Sequence, residues 1–202
     1  MLKVGVTGNI GCGKSSFSNI LKKYNIPIID ADIKGREIYN DKSLLEKVKN
    51  EFGSSVINKD GTLNRKNLGQ IVFSDNEKLK ILNGLTHPAI ENLIKKDIKD
   101  YEQKGERIVV LDAALLIEGM YHKILDKVIV ITCCEDIQIK RIISRDNCTE
   151  KEAIKRIKSQ MSQSEKIKYA DFVIDNSKTI DYLEKEAKRI LNVLEIEIEN
   201  KK

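Results

Sequence analysis

Leu2-Lys3-Val4-Gly5-Val6-Thr7-Gly8-Asn9-Ile10-Gly11-Cys12-Gly13-Lys14-Ser15-Ser16 is the stretch from which the fold is read. Leu2 to Thr7 is short, apolar and β-branched, which suits a buried strand, and Phe17, Ile20, Leu21 and Tyr24 then recur at helical spacing. Between the two, Gly8 to Ser15 matches G-x-x-x-x-G-K-[ST] at every position. Glycines at 8, 11 and 13 let the backbone curl, so that successive N–H groups and the helix N-terminus face an anion. Lys14 has the reach to touch the outer phosphates of a nucleoside triphosphate, Ser15 offers a hydroxyl to Mg²⁺, and Ser16 adds a hydroxyl near the α-phosphate. Cys12 reads as a small filler inside the loop. Strand, glycine-rich loop and helix in this order predict a phosphate-binding loop for a nucleoside triphosphate with Mg²⁺.

Outward from the loop, a second apolar run from Ile26 to Ile29 ends at Asp30-Ala31-Asp32. Further strand-like runs are Arg107 to Leu111, Lys127 to Thr132 and Phe172 to Ile174, each separated by helical patterns rather than hairpin turns. Such alternation predicts a parallel sheet with crossover helices. From Lys42 to Lys104 no strand pattern occurs, and Leu44, Leu45, Val48 and Phe52, then Leu79, Leu82 and Leu85, then Ile90, Leu93, Ile94 and Ile98 recur at helical spacing. Gly53, an Asp60-Gly61 turn and Thr86-His87-Pro88 punctuate these helices, with Pro88 expected to open a new one. Two basic helical segments follow between Glu135 and Lys168, the second opened by Thr149 and Glu152 as a capping box. A last helix runs from about Thr179 to Leu194, and residues 195–202 are expected to fray. The predicted organisation is a nucleotide-binding core over 1–40, 105–134 and 169–202, an inserted helical subdomain over 41–104, and a lid with its flank over 135–168.

The composition suits that plan. The chain has 202 residues, 41% of them hydrophobic, enough for one core with an inserted subdomain, and its 36 Lys and Arg are interspersed with 31 Asp and Glu, unlike a disordered polyelectrolyte. Cys12, Cys133, Cys134 and Cys148 form no C-x-x-C pair, which argues against a disulfide framework or a zinc site and for reduced thiols in the cytoplasm. No apolar run approaches the roughly 18 residues of a membrane span, and the first residues lead straight into the loop, so neither membrane insertion nor export is expected. Of the +5 net charge, much lies in residues 135–168, where nine Lys or Arg face six Asp or Glu. That segment has no interleaved aromatics before Tyr169 to stack on bases, so its charge suits phosphorylated small molecules better than a nucleic acid.

Further residues separate the classes that share such a loop. Arg107-Ile108-Val109-Val110-Leu111-Asp112 is an apolar strand ending in a carboxylate, the arrangement that places an Asp beside Mg²⁺; the competing reading is that Asp112 caps the segment after it. A guanine-reading N-K-x-D segment is missing, since Asn58-Lys59-Asp60-Gly61 has its Asp one position early. A kinase must also orient an acceptor hydroxyl, commonly with a carboxylate. Asp30 and Asp32 follow the second strand at the edge where parallel sheets bind ligands, with Arg36 a turn later; either Asp could instead cap a helix. Arg141 and Arg145 share a helix face at i, i+4 before the break Asp146-Asn147-Cys148-Thr149, as in a mobile lid that brings cations to a phosphoryl group; the alternative is a solvated basic helix.

Together these residues resemble the dephospho-coenzyme A kinase family. The resemblance covers Leu2 to about Ser177 and rests on the loop, on Ile29-Asp30-Ala31-Asp32 with Arg36, and on Thr86-His87-Pro88 with Ile90. It continues through Asp112 with Leu115-Leu116-Ile117-Glu118, Arg141 with Arg145-Asp146, and Tyr169-Ala170-Asp171 leading to Ile174-Asp175-Asn176. It implies an α/β fold with a P-loop NTPase-like core, a parallel β-sheet flanked by helices, an inserted helical coenzyme-binding domain and a helical lid. The implied reaction is ATP-dependent phosphorylation of the ribose 3′-hydroxyl of dephospho-coenzyme A, the last step of coenzyme A synthesis. In that reading Asp32 is the base or hydroxyl-orienting group, Asp30, Arg36 and His87 help hold the acceptor, Arg141 lies on the nucleotide side, and Asn176 approaches the adenine. Glu118 is a further candidate. Asn9, Cys12 and Ala114 stand where the family has Gly, Ser and Pro. The alternatives are a P-loop kinase acting on a nucleoside or nucleotide, and a nucleic-acid-associated ATPase. Oligomeric state is not read from these motifs.

Overall fold

Five apolar runs pair into a parallel sheet among the residues that the structure, a computed structural model, describes, Met1–Asn200. In chain order the elements are β1 (Leu2–Gly8), α1 (Lys14–Lys23), β2 (Ile28–Asp30), α2 (Ala31–Glu37), α3 (Lys42–Phe52), α4 (Arg65–Phe73) and α5 (Asn76–Gln103). They continue with β3 (Ile108–Asp112), β4 (Lys127–Thr132), α6 (Glu135–Asp146), α7 (Glu150–Lys158), α8 (Gln163–Ile167), β5 (Phe172–Asp175) and α9 (Ile180–Glu199). The strand order is β2-β3-β1-β4-β5. β3 is buried along its whole length, as expected of a strand covered on both faces, which explains why it reads as a continuous apolar run rather than as an alternation. The chain leaves β1 toward one side of the sheet and crosses from β3 to the other, so the loop after β1 lies where the winding reverses, the place where such sheets bind ligands.

The chain folds as two compact units. One consists of Met1–Asp30 and the chain from Ile98 onward. Its core joins Val4, Val6, Ile108, Val110, Ile129 and Ile131 of the sheet to Phe17, Ile20 and Leu21 of α1 and Leu183, Ala187, Ile190 and Leu194 of α9. Fully burying each large apolar side chain in this layer contributes about 1.5–3 kcal/mol. The other unit is Ala31–Asp97, with its own cluster of Val48, Phe52, Val56, Leu68 and Val72 backed by Leu79, Leu82 and Leu85. Lys34 ties α2 to α5 within it, pairing with Glu37 at 2.8 Å and with Asp97 at 2.7 Å. The division therefore falls at Ala31 and Asp97, whereas the helical spacing placed the inserted segment over 41–104. The short helix α2, which periodicity did not separate from the strand before it, belongs with the helices.

Two local expectations are corrected. Pro88 does not open a new helix but lies inside the continuous α5. The acceptor its missing N–H leaves unused is the carbonyl of Gly84, an exposed residue with open space beside it, so the ring is accommodated without a break. The C-terminal helix also does not fray at 195 but runs to Glu199, held by Arg107 on Glu195 at 2.7 Å, by Lys127 on Glu197 at 3.5 Å and by Ile198 against the core. These partners are distant in sequence. The capping box of α7 forms as expected: Thr149 accepts from the Glu152 N–H at 3.3 Å, and Glu152 accepts from the Thr149 N–H at 2.8 Å. Among the described residues no helix is long and apolar enough to cross a membrane.

Candidate active site

The loop between β1 and α1 owes its shape to two left-handed glycines, Gly11 at φ +81° and Gly13 at φ +90°. A Cβ at Gly13 would run into the side-chain amide of Asn176, so glycine is needed there both for its backbone conformation and for space. Surrounding side chains bind the loop's outward backbone groups. Gln138 donates to Ile10 O at 2.7 Å and Asn176 donates to Cys12 O at 2.8 Å, while the loop's own Asn9 side-chain amide donates outward to Met161 O at 2.8 Å. Gln160 accepts from the Ile10 N–H at 2.8 Å. Arg141 spans the same region, donating to Gly11 O at 3.4 Å and to Asn176 O at 3.0 Å. With the carbonyls of Ile10, Gly11 and Cys12 held from outside, the loop is braced in the curl that an anion cradle requires.

At the start of α1, Lys14 forms an ion pair with Asp112, which is buried at the end of β3 and also accepts from Ser18 Oγ at 2.6 Å. Asp112 thus reaches back to α1 and does not serve as a cap for the segment after it. β2 ends at Asp30, directly opposite Asp112 in the parallel register, so two carboxylates stand on adjacent strands at the carboxyl edge of the sheet. Ser15 and Ser16 are exposed in the first turn of α1. Ser18 was not singled out from the sequence, although its place one turn after Lys14 on the inward face was a usable signal.

A buried charge lies behind this edge. The Lys166 ammonium has no exposed side-chain surface, donates to Ala114 O at 2.6 Å and pairs with Glu118 at 3.1 Å. Burial pushes its pKa down, against the opposing pull of Glu118. Thr7 Oγ1 donates to the same Ala114 carbonyl at 3.2 Å, and Glu118 also accepts from the Met161 N–H at 3.3 Å. Two donors on one carbonyl hold the segment after β3 in place although Ala114 stands where a proline would have stiffened it. Lys166 sits in a segment that reads as a solvated basic helix, so nothing in the local pattern marked it as buried.

The two arginines proposed for a lid part company. Arg141 is drawn to the loop, whereas Arg145 is bidentate on its neighbour Asp146 at 2.7 and 2.9 Å on an exposed surface, where Asp146 also pairs with Arg156. Arg145 holds the Asp146 carboxyl below its usual range. Asn176 is buried with its amide committed to the Cys12 carbonyl, so it braces the loop from the end of β5. Cys12 is buried, its sulfur 3.4 Å from that of Cys133.

In the helical unit, Asp32 and Arg36 are exposed one turn apart on α2, the spacing that puts both on one face. His87 lies half-buried in α5, and burial lowers its pKa. A groove of about 560 Å³ in the same unit is lined by Glu37, Ile38, Asn40 and Asp41 on one side and by Ala89, Asn92 and Leu93 of α5 on the other. Among the described residues no group of three or more His, Cys, Asp or Glu could hold a metal ion by itself. Ser15 and Asp112 supply hard oxygen donors, which suit a Mg²⁺ that takes its remaining ligands from phosphates and water.

A parallel sheet whose first strand opens into a braced glycine-rich loop, with a lysine and a strand-end aspartate paired beside it, defines the class of nucleotide-dependent P-loop phosphotransferases. Within that class, the dephospho-CoA kinase family model matches residues 2–181. A dephospho-CoA kinase of Listeria innocua is 38% identical over 98% of both chains. Among solved structures, a Thermus thermophilus protein is 29% identical with a TM-score of 0.83, covering 96% of this chain and 97% of that one. A dephospho-CoA kinase of Campylobacter jejuni is 31% identical with a TM-score of 0.72, covering 94% and 95%. The chain belongs to the dephospho-CoA kinase family.

Proposed function

We propose that this chain transfers the γ-phosphoryl group of ATP to the ribose 3′-hydroxyl of dephospho-coenzyme A, giving coenzyme A and ADP, the last step of coenzyme A biosynthesis. The observation that carries the reading is the braced Gly8 to Ser16 loop, with Lys14 and Asp112 at its mouth, inside a chain that the family matches over residues 2–181. The N–H groups of Gly11, Gly13 and Lys14 bind the phosphates, the Cys12 N–H being held by Asn9 O at 3.0 Å, and Lys14 exchanges part of its contact with Asp112 for the β- and γ-oxygens. Arg141 adds positive charge on the nucleotide side, and Asn176 keeps the loop from flattening. Arg145 joins the nucleotide only by leaving Asp146. Ser15 and Asp112 would hold Mg²⁺, which would neutralise negative charge on the phosphates.

Asp32 orients the acceptor hydroxyl and takes its proton, with Asp30 as the neighbouring carboxylate. Arg36 and His87 hold the acceptor. The groove of the helical unit, apolar at Ile38 and Leu93 and polar at Asn40 and Asn92, suits a long acceptor with mixed character. The partner is a small molecule and not a nucleic acid. The free thiols support a cytoplasmic location. An ADP-release assay with dephospho-coenzyme A in parallel with nucleoside monophosphates tests the proposal. Product from dephospho-coenzyme A alone is expected, and its absence overturns the reading.

A further inference from the structure

The phosphate loop carries a thiol with a second thiol directly behind it. Cys12 is fully buried, Cys133 follows the last residue of β4, and their sulfurs are 3.4 Å apart. Gln163 holds the pair together: its carbonyl oxygen accepts from the Cys133 N–H at 2.9 Å and from the Cys12 thiol at 3.5 Å, and its amide donates to Cys133 O at 3.0 Å. Neither thiol serves the reaction derived above. Cys134 and Cys148 are not buried, and the N–H of Cys134 donates to Ser177 Oγ at 2.8 Å.

We propose that Cys12 and Cys133 are a redox modification site, at which a peroxide converts the two thiols into a disulfide that disables the phosphate loop. A disulfide needs sulfurs about 2.05 Å apart, so the pair must close by roughly 1.4 Å. The two sides yield unequally. Cys133 continues from β4, a strand paired on both sides, whereas Cys12 lies between two left-handed glycines. The loop therefore moves toward the strand, pulling the Cys12 carbonyl away from Asn176 and re-aiming the N–H groups that must face the phosphates.

Chemically, the Cys133 thiolate attacks one oxygen of the peroxide and breaks the O–O bond, giving a sulfenic acid while the departing oxygen leaves as water with the thiol proton. The Cys12 sulfur then attacks the Cys133 sulfur, forming the S–S bond and breaking the S–O bond, and a second water leaves with the Cys12 proton. Two thiols are oxidised by two electrons, and one peroxide is reduced to two waters. The order of attack follows the environments. The contact with Cys12 and the nearby Arg141 lower the Cys133 pKa, while the Cys133 contact and burial push the Cys12 thiol up.

The loss of turnover rests on the proposed kinase reaction, but formation of the bond does not. The test treats the full chain with hydrogen peroxide, blocks the remaining thiols, and maps linked peptides by mass spectrometry, with ATP binding by calorimetry and ADP release measured on the same samples. A Cys12–Cys133 linked peptide is expected, with turnover reduced by roughly 10²-fold, the scale of a 1 Å misplacement at a reacting site, and restored by dithiothreitol. Cys133→Ser, or Cys133→Ala where serine disturbs the strand end, should keep its turnover under the same peroxide, and Cys134→Ser should remain sensitive. No linked peptide, a linked peptide with turnover retained, or reversible inactivation of Cys133→Ser overturns the proposal. A chain inactive toward dephospho-coenzyme A before oxidation would instead sink the kinase reading, leaving the linked peptide and ATP binding to decide the thiol site.

Discussion

Glu118→Ala should destabilise the protein more than any surface charge change, because it strands a buried lysine. Lys166 has no exposed side-chain surface, and Glu118, a quarter exposed, is its counter-charge at 3.1 Å. The Ala114 carbonyl at 2.6 Å remains after the substitution, but it cannot neutralise an ammonium. Removing one partner of a buried pair costs about 3–5 kcal/mol, and partial solvent access on the Glu118 side favours the lower end. At about 3 kcal/mol, a chain of this size loses about 6–12 °C in Tm. The deficit depends on pH with a definite sign. The folded pKa of Lys166 lies below its ordinary value of 10.5, so between the two the unfolded chain binds the extra proton and this group's contribution to stability rises with pH. Without Glu118 the folded value falls further, so the deficit narrows as the pH climbs toward 10.5. Lys166→Met combined with Glu118→Leu removes both charges and should be more stable than Glu118→Ala alone. Thermal unfolding followed by circular dichroism from neutral to alkaline pH measures all three forms. A Glu118→Ala Tm within a degree or two of the parent, a deficit that does not change with pH, or a double variant less stable than the single one refutes the reasoning.

Other outcomes follow from the site. Lys14→Ala should lower ADP release by orders of magnitude, and turnover within tenfold of the parent would remove Lys14 from the reaction. Asp32→Asn, at an exposed position of α2, should cut kcat by ~10²–10⁴-fold with ATP affinity retained, and near-normal kcat would take the base role away from Asp32. Gly13→Ala forces a side chain into the left-handed region at φ +90° and against Asn176. It should cost about 1–2 kcal/mol from the backbone alone and weaken ATP binding by calorimetry; parent-like stability and affinity would show that the loop tolerates the flip.

Much of this molecule was legible in the local pattern. The β1 run, the glycine loop and the amphipathic α1 follow from residues within 25 positions of one another, because strand burial, left-handed turns and helix faces are set by neighbours in the chain. The capping box at Thr149 and the Asp60-Gly61 turn were readable for the same reason, and in the structure Gly61 is left-handed while Asp60 accepts from the Thr62 N–H at 3.0 Å. At the C-terminus, where the local signal misled, partners distant in sequence decided. Leu194 ended the periodic face of α9, but Arg107 and Lys127 carry the helix on to Glu199.

The sequence by itself determined that a parallel sheet would open into an anion cradle ending in Lys14 and Ser15, and that Asp112 would stand at the end of a strand. Only the tertiary structure decided what holds that cradle and what lies behind it. Gln138, Gln160 and Asn176 brace the loop from more than 100 residues away, Lys166 is buried against Glu118, Arg141 turns to the loop while Arg145 stays with Asp146, and Cys133 meets Cys12. None of these has a local signature, because an isolated Gln, Lys or Cys in a helical or strand pattern looks the same whether it faces water or a neighbour. Which of the two it faces is set by the packing of elements distant in the chain.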